Sequence, residues 1–327
     1  MVRIAIVGTG WQGQGLMSSL KAIEGMELVG ACDLNADMLA KVVTKFSVPG
    51  YADYGRMLDE TKPDGVLICT HPQHRYELVK EAAMRGIPCF IEKPPARDLE
   101  GARRISDVLE EYGVMNSVGF MYRYSTALQK AKELIAGRRV ALVRSCMLDG
   151  LAIRPDSPRW FFDKERSGGP VFDQAIHMLD LSRYLFGDIE AAAGFQGNRT
   201  VPKGEDFTVE DSASLTLRYR NGIMQSHTHS WAYNGFRMQL ELVSDELDLM
   251  LDLGKGTLTG TAGGEPVAYE SQDALYRLEL EAFGRAIREG NPAWIRSTYA
   301  DSVRSLAVAL SAVQALENGQ VAYVEEE

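Results

Sequence analysis

A short apolar strand that runs directly into a glycine-rich turn and then a helix leaves a chain few folds to choose from. Here the strand Arg3 to Gly8 is followed by Gly8-Thr9-Gly10-Trp11-Gln12-Gly13, the spacing of a dinucleotide loop in the context that motif requires. Glycine permits the tight turn and lets a pyrophosphate approach backbone N–H groups at a helix N-terminus. A glycine triplet alone is weak evidence, since a strand-to-helix turn can carry one and bind nothing.

The next 110 residues agree with it. Apolar runs at Ile4 to Val7, Leu28 to Cys32, Gly65 to Cys69, Cys89 to Ile91 and Met115 to Val118, with a short strand near Tyr51, alternate with helical periodicity. That grammar predicts a parallel sheet wrapped by helices, a doubly wound Rossmann domain over residues 1–120. Asn35 or Asp37, Asp53 and Asp98 stand where helix N-caps belong.

After Gly119 the pattern changes. A helix over residues 126–136, a strand over 140–147 and an irregular proline- and glycine-bearing stretch precede a helix over 173–186. Strand-like runs at 191–196, 212–219, 223–231, 238–243 and 247–251 follow, joined by turn signals such as Asn221-Gly222. They predict an α+β domain over residues 121–327 with a large, mostly antiparallel sheet, closed by helices over 274–289 and 298–317.

Composition narrows the partners. The chain has 327 residues and a formal net charge of −10, with no basic patch to neutralise phosphates, which disfavours nucleic acid and anionic membrane. No stretch approaches the ~20 apolar residues of a membrane helix, and the apolar run of the first strand is broken by glycines before it could serve as the apolar core of a signal segment. Four cysteines without CxxC spacing fit buried thiols, so the cytoplasm is the expected compartment.

Three further elements carry chemistry. Asp33 ends the second strand, where a carboxylate accepts from adenosine ribose hydroxyls and repels a ribose phosphate; no arginine follows it in Asp33-Leu34-Asn35, so NAD is expected over NADP. Glu92-Lys93-Pro94 places a lysine at the carboxyl end of a strand, the edge where ligands sit in open parallel sheets, and Pro94 and Pro95 stiffen the turn. Asp173, His177 and Asp180 fall at i, i+4 and i+7, so a regular helix would carry all three on one face. An imidazole held by a carboxylate is oriented for proton transfer, although a helical Asp-His pair alone is more often structural, and Asp180 reads as structural.

In these motifs, from Val7-Gly8-Thr9-Gly10 through Cys32-Asp33, Glu92-Lys93-Pro94, Val118-Gly119-Phe120 and Gly168-Gly169 to Asp173-Gln174-Ala175-Ile176-His177, the chain resembles the Gfo/Idh/MocA oxidoreductases, which include inositol and glucose-fructose type enzymes. The resemblance spans nearly the whole chain and implies that Lys93, Asp173 and His177 are catalytic. It also implies an open-faced second sheet, often used for oligomer contacts. Two departures stand out: family members often carry Asp-Leu-Gly or Asp-Ser-Gly where Asp173-Gln174-Ala175 stands, and Thr70-His71-Pro72-Gln73-His74 replaces the more usual Thr-Pro opening after strand four.

The expected function is NAD-dependent hydride transfer on a sugar, cyclitol or related polyol, with an ammonium from the first lobe and an imidazole from the second meeting at one oxygen. His177 is the expected base, Asp173 its orienter and Lys93 the donor to that oxygen. Expected cofactor contacts are Gly8, Thr9, Gly10, Trp11, Gln12, Gly13, Asp33, Leu34, Cys69, Thr70, His71, His74, Glu92 and Lys93. Tyr122, Arg154 and Trp160 are candidate substrate contacts beside Lys93, Asp173 and His177, each of which reads equally well as packing or a salt bridge. His227 and His229 share one strand face without an acidic or cysteine partner, so no metal is expected. The terminal Glu325-Glu326-Glu327 reads as a solvated tail. Two other readings remain: a relative that oxidises only transiently to enable elimination or glycoside cleavage, and a dinucleotide-binding regulator without turnover. A homodimer or homotetramer is expected.

Overall fold

The computed structural model describes residues 1–325 and resolves into two units, residues 1–121 with 274–303, and residues 122–273 with the remainder from 304. Glu326 and Glu327 of the expected tail lie outside the described residues.

The first unit holds a six-stranded parallel sheet in the order β3-β2-β1-β4-β5-β6. Its elements are β1 (Val2–Val7), α1 (Trp11–Leu20), β2 (Met26–Cys32), α2 (Ala36–Phe46), β3 (Gly50–Tyr51), α3 (Tyr54–Thr61), β4 (Gly65–Ile68), α4 (Arg75–Met84), β5 (Cys89–Ile91), α5 (Leu99–Glu111) and β6 (Asn116–Val118). The central strands are buried on both faces because helices cover both, so they read as unbroken apolar runs. Asn35, Asp53 and Asp98 each accept a backbone N–H in the first turn of the helix they precede.

Register decides where the functional residues fall. Val7 pairs with Cys32 and with Ile68, Ile68 with Ile91, and Ile91 with Val118. Gly8, Asp33, Cys69, Glu92 and Gly119, each one residue further on, therefore line up along one sheet edge. Between β1 and β4 the strand order reverses, and such a switch point opens a crevice at the carboxyl ends of the strands.

The helix Leu275–Glu289 belongs to this unit, although residue 120 was the expected boundary. Its Leu280, Phe283 and Ala286 join the core of Ile4, Ile6, Leu16, Leu20 and Phe90, and Phe283 meets Phe90 edge-on with centroids 5.8 Å apart. Burial of these side chains, not chain order, assigns the helix.

The second unit contains α6 (Thr126–Ile135), β7 (Leu142–Asp149), α7 (Lys164–Ser167), α8 (Ile176–Phe186), β8 (Ile189–Gly197), β9 (Ser212–Tyr219), β10 (Met224–Ser230), β11 (Phe236–Val243), β12 (Leu247–Asp252), β13 (Thr257–Ala262), β14 (Glu265–Glu270) and β15 (Ala322–Tyr323). The strands form one nine-stranded sheet in the order β14-β13-β12-β11-β7-β10-β9-β8-β15. Every neighbouring pair is antiparallel except β7 and β10. Alternation along β7, β9 and β10 buries Val143, Met147, Leu215, Leu217 and Tyr219 on one face and leaves the other open. Among the described residues no helix is long and apolar enough to cross a membrane.

Candidate active site

The glycines of the first loop serve three different needs. Gly8 has φ +89°, and a Cβ there would lie 2.7 Å from the Cys69 carbonyl carbon. A Cβ on Gly13 would lie 2.2 Å from Gly8 O, so that glycine packs the start of α1 against the turn. Gly10 has nothing within 4 Å of the same position. It is the N-cap of α1, and no side chain caps that helix. Open space before uncapped N–H groups is what a pyrophosphate requires, so the loop fits the dinucleotide.

Asp33 stands over the loop. Its Oδ2 accepts from Thr9 N at 2.7 Å and Thr9 Oγ1 at 2.8 Å, and its Oδ1 accepts from Asn35 N at 2.9 Å. Asn35 caps α2 through Met38 N, which leaves Asp33 to the loop. Trp11 and Leu34 flank this edge at 74% and 92% exposure, large apolar surfaces of the kind that cover an aromatic ring of a ligand.

The Lys93–Pro94 peptide is cis. Arg75, buried at the start of α4, holds the turn by donating to the carbonyls of Thr70, Glu92 and Pro94. Lys93 is half-buried; its backbone N donates to Glu92 Oε2 at 3.1 Å, and Gln12 Nε2 donates to Glu92 Oε1 at 2.8 Å. The glycine loop and the lysine turn are thus tied through one carboxyl. Tyr276 OH continues the chain to Gln12 Oε1 at 3.3 Å. Burial pushes the Glu92 carboxyl up, against the pull of Gln12, Lys93 and Arg75. Glu279, with 0% exposure and neither carboxylate oxygen hydrogen-bonded, is pushed well above the usual carboxylate range by burial and by Glu92. Cys69, Thr70 and His71 are half-buried on the same edge, and His74 is exposed at the entry to α4.

In the second unit Asp173 does not sit in a regular α-helix. Residues Val171–Ala175 form a π turn that passes into α8 at Ile176, so Asp173 and His177 straddle the junction and the single face expected for Asp173, His177 and Asp180 is interrupted. Such turns insert a residue into the ladder and recur at functional sites. Asp173 and His177 are 7% and 8% exposed. Tyr122 lies edge-on to the His177 ring, centroids 5.3 Å apart at 83°. Asp180 serves the interior: Arg123 Nε donates to it at 2.8 Å and Arg123 Nη2 at 2.5 Å, and Ser305 Oγ donates at 2.6 Å.

Of the other expected contacts, Arg154 pairs with Asp149 and Trp160 stacks on Phe161 at 3.9 Å. His227 and His229 lie buried on the covered face of the second sheet, where His227 Nδ1 meets Ser145 Oγ at 2.9 Å. Burial pushes His227 down to about 4 and His229 well below its ordinary value, both by loss of water. Among the described residues no group of three or more His, Cys, Asp or Glu could hold a metal ion.

Sequence reasoning passed over Arg75, Glu279 and Asp149. A lone arginine and a lone glutamate on amphipathic helices carry no local signal, because only the packed sheet shows that they are buried. Asp149 closes a strand, a position that could have drawn notice.

The family model described as the oxidoreductase family with an NAD-binding Rossmann fold matches residues 2–120, and the GFO/IDH/MocA C-terminal domain matches residues 128–249. A D-glucoside 3-dehydrogenase of Escherichia coli is 29% identical over 68% of this chain and 68% of its own. A scyllo-inositol 2-dehydrogenase (NAD(+)) of Bacillus subtilis is 25% identical over 97% of this chain and 95% of its own. Levoglucosan dehydrogenase in complex with NADH has the same fold, with a TM-score of 0.88 over the whole of both chains at 19% identity. With both of its domains matched and the dinucleotide loop in place, the chain belongs to the Gfo/Idh/MocA family of NAD-binding oxidoreductases.

Proposed function

We propose that this protein oxidises a secondary alcohol of a sugar, cyclitol or related polyol with NAD, or reduces the corresponding ketone. The observation that carries the reading is a buried Asp173–His177 pair at a π-to-α junction beside Tyr122, in a chain whose first unit presents an uncapped glycine loop under Asp33. Relatives that act on inositols and glucosides support the substrate class.

When bound, NAD supplies the hydride acceptor. The protein's own groups manage the proton and the charge on oxygen. His177 takes the hydroxyl proton as the hydride leaves carbon, and Asp173 orients the imidazole and stabilises its charged form. Lys93 donates to the substrate oxygen and stabilises the negative charge that develops there. Asp33 accepts the ribose hydroxyls, and its charge disfavours a ribose phosphate. Tyr122, Arg154 and Trp160 contact the substrate. The low exposure of Asp173 and His177 strengthens these electrostatic effects by limiting water.

The open face of the second sheet exposes Phe195 on β8 and the paired Leu142 and Met224 on β7 and β10, which suits cover by a second copy of the chain. We assign the protein to the cytoplasm as a homo-oligomer, a state that light scattering on the purified protein reads directly. The catalytic reading is tested by following reduced-cofactor absorbance across a sugar and cyclitol panel with NAD and with NADP. Net reduction of NAD by at least one polyol supports it; tight NAD binding with no turnover on any panel member overturns it.

A further inference from the structure

Gln174 stands between the two residues assigned to proton transfer. Both ends of its amide are used. Trp231, fully buried, donates Nε1–H to Gln174 Oε1 at 2.6 Å, and Gln174 Nε2 donates to Asp149 Oδ2 at 3.1 Å. Arg154 donates to Asp149 Oδ1. The backbone builds this arrangement: the chain leaves β7 at Asp149, turns through Ile153 N and Arg154 N donating to Gly150 O, each at 3.0 Å, and so returns the guanidinium to the carboxylate. Asp149 O accepts from Tyr233 N, and Trp231 O from Ala152 N, each at 2.9 Å, which fixes the turn against the loop that follows β10.

Asp149 is tied to the proposed chemistry through Gln174, which follows Asp173 in the π turn and donates to Asp149 Oδ2 at 3.1 Å. Its charge acts on the Tyr122 hydroxyl, which burial first and Asp149 second push up, and the Tyr122 ring lies against His177. A carboxylate has about four acceptor sites and a guanidinium five N–H donors. The bonds above use two acceptor sites of Asp149 and one nitrogen of Arg154, whose side chain is 53% exposed. A half-exposed ion pair alone contributes little to stability. An amide locked between a buried indole and that carboxylate is a different matter, because it aims the Asp149 oxygens and not merely neutralises them.

We propose that Asp149 and Arg154 form a diol-reading pair beside the reacting carbon. Asp149 accepts from one substrate hydroxyl, Arg154 donates to the neighbouring one, and Gln174 is the positioning residue that sets the carboxylate. This deepens the polyol reading above and rests on it. Acceptor and donor side by side match a vicinal diol, in which each hydroxyl both donates and accepts, and select against a substrate lacking either hydroxyl.

The test measures equilibrium binding of D-glucose, myo-inositol and their monodeoxy analogues to the NADH-loaded protein, alongside turnover with NAD. For the wild type and for Asp149→Asn, Arg154→Gln and Gln174→Leu, both affinity and the split between KM and kcat are read. Asp149→Asn is expected to weaken binding of the sugar or cyclitol by about tenfold to a hundredfold, and of the analogue lacking the contacted hydroxyl by only a few-fold. Gln174→Leu should raise KM with a smaller change in kcat. Arg154→Gln, at an exposed side chain, gives the corresponding differential against the analogue lacking the neighbouring hydroxyl, and serves as the test if Asp149→Asn fails to fold. Equal weakening for substrate and analogue, or none, overturns the diol pair; wild-type turnover in the same panel then leaves the polyol reading standing. No binding of any panel member overturns both.

Discussion

Asp33 Oδ2 accepts two hydrogen bonds from Thr9, one from the backbone N and one from the hydroxyl, so the residue expected to read the ribose also anchors the glycine loop. Asp33→Ser removes the charge that repels a ribose phosphate and one of these supports. The ratio of kcat/KM for NADP over NAD is expected to rise by about tenfold or more, with weaker NAD binding. An unchanged ratio removes Asp33 from this role.

Two glycines of the same loop give opposite outcomes. Gly13→Ala forces a Cβ to within 2.2 Å of Gly8 O, so thermal unfolding should show a loss of about 1–3 kcal/mol. Gly10→Ala meets nothing within 4 Å and should melt like the wild type while losing NAD affinity, because its methyl occupies the space before α1. Normal NAD binding by Gly10→Ala contradicts the placement of the pyrophosphate there.

Glu279 predicts a pH-dependent stability. Its folded-state pKa is raised above the unfolded value, so its favourable contribution is complete below the ordinary carboxylate range and fades as pH rises toward the folded value. Glu279→Gln should melt with the wild type near pH 3.5 and be more stable at pH 8, by about 1–3 kcal/mol, as a buried carboxylate without partners is avoided. Equal shifts at both pH values would mean that the carboxyl does not titrate in this way.

Asp180 separates structure from chemistry on α8. With Arg123 and Asp180 both buried, Asp180→Asn leaves an uncompensated guanidinium and should cost about 3–5 kcal/mol in denaturant unfolding. The folded fraction should retain most of its turnover per molecule. Full stability paired with lost turnover would move Asp180 into the catalytic set.

Much of this was readable in the chain because strand runs, caps and the glycine loop are local signals. The six-stranded sheet, the Asn35, Asp53 and Asp98 caps and the alignment of Asp33 with the loop follow from short-range pattern. The hairpin of β13 and β14 did not show, since Thr257–Ala262 is mostly exposed and alternates threonine with Leu258, Gly260 and Ala262, too little apolar bulk to stand out as a strand. Gly260 in it passes so near β12 that a Cβ would lie 1.9 Å from Asp248 O. Nor could spacing reveal that Leu275–Glu289 returns to the first unit, or that Val171–Ala175 adopts a π turn, because both are decided by packing. In the candidate site, the residue types were legible and their partners were not: nothing in Gln12 or Gln174 announces a bond to Glu92 or Asp149.

The most direct measurement compares turnover with cofactor affinity in Lys93→Met and His177→Gln, using the best polyol substrate of the wild type. Turnover is expected to fall by about 10²–10⁴-fold in each variant while the NAD dissociation constant stays within a few-fold. Near-normal turnover in either variant would contradict the assignment of that residue, and in both it would contradict the mechanism as a whole.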